Sequence, residues 1–160
     1  MPCCTLSRRV EAPIDAVFGV FSDIPRAHEM IEQITAIDML TDGPVGVGTR
    51  WRETRRVFKR EATEQMQVTA FEPGQSYTVE CRSCGCEYES TWRFEPDGDA
   101  TLVKFEMGYR PLTVVAKLMS PLGRLMMPMM KKCFEKDFQA LKAAAESGDT
   151  PDAARGGALA

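Results

Sequence analysis

Arg55, Glu53 and Glu64 are the side chains in this sequence best placed to do chemistry. Trp51, Glu53 and Arg55 lie two apart, so on an extended strand all three point to one face. With the following hairpin turn centred on Phe58-Lys59-Arg60-Glu61, Arg55 comes to lie opposite Glu64. A charge on an inward face must be paired, solvated or neutralised, because an isolated buried charge is expensive. Two readings follow for the pair. Either it is a structural ion pair at the rim of a cavity, or Arg55 anchors a ligand carboxylate or enolate while Glu64 orients it. Glu53, among apolar neighbours that would raise its pKa, is a candidate acid or base unless Arg55 or Arg8 pairs with it. Tyr88, Tyr109 and Ser90 can hydrogen-bond a ligand carbonyl, or else pack with wet hydroxyls. Arg55, Glu53 and Tyr88 are thus the catalytic candidates, if there is catalysis.

Other chemistries find less support. Cys81, Cys84 and Cys86 bracket a two-residue turn that aims Cys84 away from the other two, with no histidine nearby. Zinc needs four tetrahedral ligands, so no metal site is expected, and no cofactor motif is present. His28, the single histidine, follows Pro25 on a short helix and has no Ser-His or Cys-His spacing. The formal charge is -3, which argues against nucleic acid as a partner. Arg50, Arg52, Arg55, Arg56, Lys59 and Arg60 cluster, and are read mainly as a solvated face balanced by glutamates. The start, MPCCT, lacks the charge and apolar run of a signal peptide. Leu112 to Met130 is interrupted by Lys117, Ser120, Arg124 and two prolines, so no transmembrane segment is expected. Six cysteines without a secretion signal indicate reduced thiols and a cytoplasmic location.

The elements that must position these residues form one domain over residues 5–146. Residues 1–4 read as a short N-terminal extension and 147–160 as a disordered tail. Leu6, Arg8 and Val10 predict a strand from Thr5 to Glu11. Pro13, then Ile14, Val17, Phe18 and Phe21 at helical spacing, predict a helix from Pro13 to Ser22. A second short helix follows Pro25 through Ile31, then a strand from Ile34 to Leu40 and a glycine-rich loop from Asp42 to Gly48. Turns at Phe58-Lys59-Arg60-Glu61, Pro73-Gly74, Cys84-Gly85 and Asp97-Gly98 divide Thr49 to Tyr109 into a meander.

Centring each turn by its residue chemistry sets the register. Trp51 then faces Val68, Glu53 faces Met66, Met66 faces Cys81, Val68 faces Val79, and Ala70 faces Tyr77. Further along, Tyr77 faces Trp92, Val79 faces Ser90, and Cys81 faces Tyr88. In the last pair, Trp92 faces Val103, Ser90 faces Phe105, Tyr88 faces Met107, and Cys86 faces Tyr109. All fall on one face, with an apolar, aromatic end at Tyr77 and Trp92 and a polar end at Arg55, Glu64 and Tyr109. That gradient admits and orients an amphipathic ligand.

A methionine-loaded segment closes the domain, with five methionines from Met119 to Met130. Methionine lines adaptable apolar surfaces without fixing one packing. Leu118, Leu122, Met126, Met130, Cys133, Phe138 and Leu141 are expected to face the sheet. An interior proline breaks the hydrogen-bond ladder, so the helix is expected to break or restart near Ser120-Pro121. From Pro121 to Glu146 it would span roughly 39 Å at 1.5 Å per residue, enough to cross the concave face.

The segments RRVEAPIDAVFGVFSDI from Arg8, TDGPVGVGTRWRE from Thr41 and YESTWRFEPDGDATLVKFEM from Tyr88 resemble the START-like, or SRPBCC, superfamily. This group holds polyketide cyclases and dehydratases, lipid-transfer domains and the plant pollen-allergen fold. The resemblance implies an α+β helix-grip fold, a curved seven-stranded antiparallel sheet wrapped around a long C-terminal helix, with two short helices after the first strand. It implies no shared catalytic motif, and many relatives carry a glycine where this chain has Lys59-Arg60. Three readings stay open. The first is a carrier or sensor for a small hydrophobic or amphipathic molecule such as a lipid, polyketide or quinone. The second is a cyclase-, aromatase- or dehydratase-like enzyme acting on a bound carbonyl compound, and the third a toxin or quinone chaperone that needs a protein or membrane partner.

Overall fold

The computed structural model describes residues 2–148. Of the tail expected at 147–160, Ser147 caps the last helix through its amide to the Ala143 carbonyl, and residues 149–160 lie outside the described residues. Seven antiparallel strands form one sheet in the order β1-β7-β6-β5-β4-β3-β2. They are β1 (Pro2–Val10), β2 (Ile34–Met39), β3 (Arg50–Val57), β4 (Arg60–Glu72), β5 (Ser76–Ser83), β6 (Cys86–Asp97) and β7 (Ala100–Pro111). Helices α1 (Ile14–Phe21) and α2 (Ala27–Met30), joined by a 3-10 turn at Ile24–Arg26, separate β1 from β2. Two more follow the sheet, α3 (Val114–Leu118) and α4 (Ser120–Glu146). Strand β1 starts three residues before the expected Thr5, pairing Cys4 with Met107 and burying it. Residues 2–4 are therefore part of the sheet, where the sequence reading had an extension.

Helix α1 begins where Pro13 holds the extended backbone that precedes a first turn, and ends where the Ser22 hydroxyl donates to the Phe18 carbonyl at 2.7 Å. Its inner face, Val17, Phe18, Val20 and Phe21, is buried. The Tyr77 hydroxyl donates to the Phe21 carbonyl at 2.7 Å, satisfying one of the carbonyls orphaned at the helix end. Phe21 in turn stacks edge-on against Phe138 of α4, ring centroids 5.5 Å apart. Phe138 is fully buried, so truncating it to alanine removes about 3–5 kcal/mol.

Three register details differ from expectation, each for a local reason. The β3–β4 turn is a two-residue turn at Phe58-Lys59, both with positive φ (50° and 62°), not a wider turn through Glu61. Glu53 therefore opposes Glu64, Arg55 opposes Ala62, and Trp51 opposes Met66. The β6–β7 turn falls on Gly98-Asp99, one residue later than Asp97-Gly98 would put its centre. Trp92 thus faces Phe105, Ser90 faces Met107, and Tyr88 faces Tyr109. A bulge between Val68 and Ala70 turns Ala70 outward and brings Phe71 opposite Tyr77. The expected β5 and β6 partners, Tyr77–Trp92, Val79–Ser90 and Cys81–Tyr88, are all present. Slips of two residues keep every side chain on its face; only the bulge swaps one.

The closing segment does restart at the Ser120-Pro121 step. Thr113 caps α3 by accepting from the Ala116 amide, and α4 begins at Ser120 with Pro121 in its first turn. Pro128 inside α4 lacks the amide that would bond to the Arg124 carbonyl. The buried residues of helix α4, Asp137, Phe138, Leu141 and Ala145, all lie in its second half, while Met130 packs half-buried against Phe105 and Met107. Leu118 and Leu122, expected to face the sheet, are instead exposed, and so is Leu125.

Candidate functional site

A cavity of about 420 Å³ lies under the middle of α4, between the concave sheet face and the α1–α2 segment. Its aromatic floor is Phe21, Tyr77, Trp92 and Phe105, with Trp92 and Phe105 at 4.5 Å between centroids. Val20, Ile24, Ala27 and Ile31 close one side, and Met126, Met129, Met130, Cys133 and Phe134 of α4 close the roof. Phe58, Met126 and Met129 line the cavity and are also exposed, so they mark its mouth.

Polar groups enter this apolar shell mainly from β3 and α4. Alternation along β3 puts Trp51, Glu53 and Arg55 on the concave face. The Arg55 side chain donates from Nε and Nη2 to Glu53 Oε1 at 3.1 and 2.9 Å, and from Nη1 to Asp137 Oδ2. Trp51 Nε1 donates to Glu53 Oε2 at 3.3 Å. Arg55, Glu53 and Asp137 keep 23%, 11% and 7% of their side-chain surface exposed. Burial works against the Arg55 charge, yet Asp137 and Glu53 outweigh it and hold the guanidinium pKa above its ordinary value. For Asp137 the balance runs the other way. Burial raises its pKa, and Arg55 offsets this only in part. Its second oxygen, Oδ1, is buried without a partner among the described residues.

The expected Arg55–Glu64 pair does not form. Tightening the β3–β4 turn to Phe58-Lys59 sets Glu64 against Glu53, and Arg55 turns to Glu53 and Asp137 instead. Glu64 remains on the cavity wall and accepts from the Cys81 thiol at 3.6 Å. Burial and the neighbouring Glu64 push the Cys81 thiol up to about 12, so it stays protonated. The Tyr88 hydroxyl is likewise pushed up to about 12, by burial first and then by Cys86, Cys84 and Glu64. Tyr77 is held protonated by complete burial, with its hydroxyl committed to Phe21.

Of the side chains expected in the cavity, Trp51, Glu53, Arg55, Glu64, Met66, Tyr77, Val79, Cys81, Tyr88, Ser90, Trp92, Phe105, Met107, Met126 and Met130 line it. Four do not. Val68 is fully buried against Ile24 and Trp51, the Tyr109 hydroxyl pairs with Ser120 at 3.0 Å, and Leu118 and Leu122 lie outside. The sequence reading missed Asp137, although a signal was there. Met130, Cys133, Phe134, Asp137, Phe138 and Leu141 recur at three- and four-residue steps, which places Asp137 on the apolar stripe.

An open sheet gripping a C-terminal helix is an arrangement shared with known proteins. The family model described as polyketide cyclase / dehydrase and lipid transport matches residues 1–146. The chain belongs to this family. Membership in the polyketide cyclase / dehydrase and lipid transport family agrees with the superfamily resemblance drawn from the sequence. Among solved structures, TTHA0849 from Thermus thermophilus superposes with a TM-score of 0.73 at 16% identity, covering 89% of this chain and 96% of its own. The Zhui aromatase/cyclase from Streptomyces sp. R1128 gives 0.71 at 16%, covering 97% and 98%. Norcoclaurine synthase from Thalictrum flavum, solved with dopamine and hydroxybenzaldehyde, gives 0.65 at 17%, covering 90% and 86%. These likenesses show the helix-grip fold. No curated protein matches the sequence. No described helix is long and apolar enough to cross a membrane.

Proposed function

We propose that this protein binds one small, mostly apolar molecule inside the domain and carries or senses it. The observation behind this reading is the cavity of about 420 Å³, apolar over most of its wall and polar at Arg55, Glu53, Glu64 and Asp137. Pockets of about 300–1,000 Å³ with few convergent polar groups are the usual size and make-up of small-molecule sites. Family membership and the ligand-handling neighbours support binding in general terms. Native mass spectrometry of freshly purified protein tests it. A single apolar species retained at one equivalent, displaced by a naphthalene probe, is the expected result. Loss of all binding in wild type, with the fold intact, would overturn the reading.

A second reading is favoured by the place of Asp137 on the cavity wall, where burial raises its pKa. A buried carboxyl that holds its proton longer than usual can act as a general acid or base on a bound carbonyl compound, as a cyclase or dehydratase requires. Turnover of a poly-β-ketone thioester mimic, lost in Asp137→Asn while binding persists, would support catalysis over carriage.

A further inference from the structure

We infer that the polar end of the cavity selects a ligand head group that donates hydrogen bonds or carries positive charge, and disfavours carboxylates. This rests on the cavity being the ligand site, as proposed above. Among the described residues, Arg55 is the only basic one on the cavity wall, against three carboxyl groups, Glu53, Glu64 and Asp137. All three guanidinium nitrogens of Arg55 already donate to Glu53 or Asp137, so its charge is neutralised by the protein itself. An incoming carboxylate would meet a committed cation and the fields of three acids. In contrast, the wall offers an acceptor. Asp137 Oδ1 lacks a partner among the described residues but has no surface open to the cavity, so the acceptor within a ligand's reach is Glu64. Glu64 is engaged only by the weak thiol donor of Cys81 among the described residues. An acceptor with so weak a partner is under-satisfied, and a hydroxyl, phenol or ammonium hydrogen placed against Glu64 recovers free energy. The aromatic floor below suits a ring or a cation over its face.

The test uses four fluorescent probes that share one ring system, namely 2-naphthol, 2-naphthylmethylamine, 2-methoxynaphthalene and 2-naphthoate, titrated into the full chain. The naphthol and the amine are expected to bind at least tenfold more tightly than the naphthoate, and the naphthol more tightly than its methyl ether. Asp137→Asn and Glu64→Gln should each shrink that preference severalfold; Glu64 takes part in no ion pair among the described residues, so its variant keeps the fold. Naphthoate binding as tightly as naphthol, or a preference unchanged in both variants, would overturn the inference while leaving the cavity reading in place. Failure of every probe would overturn the cavity reading itself.

A different observation carries a second proposal. We propose that the mouth of the cavity docks on an anionic lipid surface. Val114, Val115, Leu118, Leu122 and Leu125 are exposed beside the mouth residues Phe58, Met126 and Met129. Isolated exposed apolar residues need no explanation, but a contiguous set along two consecutive helices marks a contact surface. From Met107 to Phe134 the chain has no acidic residue and five basic ones, Arg110, Lys117, Arg124, Lys131 and Lys132, in a protein of net charge -3. Of these only Arg110 forms an ion pair among the described residues, with Glu87. At the facing hairpin tip, Phe58 is followed by Lys59 and Arg60. Apolar residues beside unpaired basic ones are the pattern of a helix that lies in a lipid interface. A second copy fits worse, since a two-fold contact would set this basic surface against itself.

Flotation of the full chain with phosphatidylcholine vesicles, with and without phosphatidylglycerol, tests the docking. Binding is expected mainly to the anionic vesicles, weakened by high salt, and lost in Leu118→Glu/Leu125→Glu. Both positions are exposed, and circular dichroism checks the fold of the variant. Binding to neither vesicle, or a dimer in solution that the same double variant dissociates, would overturn it.

Discussion

Arg55 on β3 donates to Asp137 on α4 across 82 positions of sequence, and this bond ties the sheet to the helix that closes it. It also draws two carboxylates, Asp137 and Glu53, onto one guanidinium. Removing the cation leaves both acids in a shell with little water. Arg55→Met is therefore expected to lower unfolding free energy by about 3 kcal/mol at neutral pH. In a double-mutant cycle by urea unfolding, Arg55 and Asp137 should couple strongly, whereas additivity between them would rule out the interaction.

Asp137 gives the pH dependence a defined sign. Its folded pKa is raised by burial, so the folded state holds this proton more tightly than the unfolded chain does. The stability it contributes is full below the ordinary aspartate range and is lost as pH climbs through the raised value. Melting temperature in that window should thus fall less steeply with rising pH in Asp137→Asn than in wild type. Parallel profiles for the two proteins would count against a raised carboxyl.

Cysteine reactivity should separate by environment. The thiolate is the reactive form, and Cys81 is pushed up to about 12 while buried beside Glu64. Cys84 is exposed at the β5–β6 tip. Limited alkylation at pH 8 followed by peptide mass mapping is expected to find Cys84 modified first and Cys81 only after unfolding. Early labelling of Cys81 would contradict the protonated, buried thiol.

Two hairpin tips should answer in opposite directions to glycine chemistry. Lys59 holds a left-handed backbone (φ 62°) without being glycine. Lys59→Gly is expected to raise stability by up to about 1 kcal/mol, since left-handed backbone costs an L-residue about 1–2 kcal/mol and glycine's greater unfolded freedom offsets part of the gain. Gly85 also has positive φ, and a Cβ there would lie 2.6 Å from Thr113 Oγ1, the cap of α3. Gly85→Ala should cost about 2 kcal/mol or more, seen as a lower melting temperature, from left-handed strain and the lost cap.

Most of the architecture was legible in the chain. Period-two alternation from Trp51 to Met107 and the turn pairs Pro73-Gly74 and Cys84-Gly85 determined which face the strand residues take, Ala70 at the bulge excepted, because a strand's side chains alternate regardless of two-residue slips. The β5–β6 register and the restart at Ser120-Pro121 were likewise local matters, decided by turn and proline chemistry. Local signals also showed that Arg55 and Glu53 would face inward. What Arg55 pairs with was decided only by the tertiary structure. A two-residue turn at Phe58-Lys59, without glycine to announce it, moved Glu64 beside Glu53, and the long-range approach of α4 delivered Asp137 in its place. The same approach left Leu118, Leu122 and Leu125 outside. How far a helix lies down on a sheet depends on the curvature summed over seven strands, and no short window of sequence carries that sum.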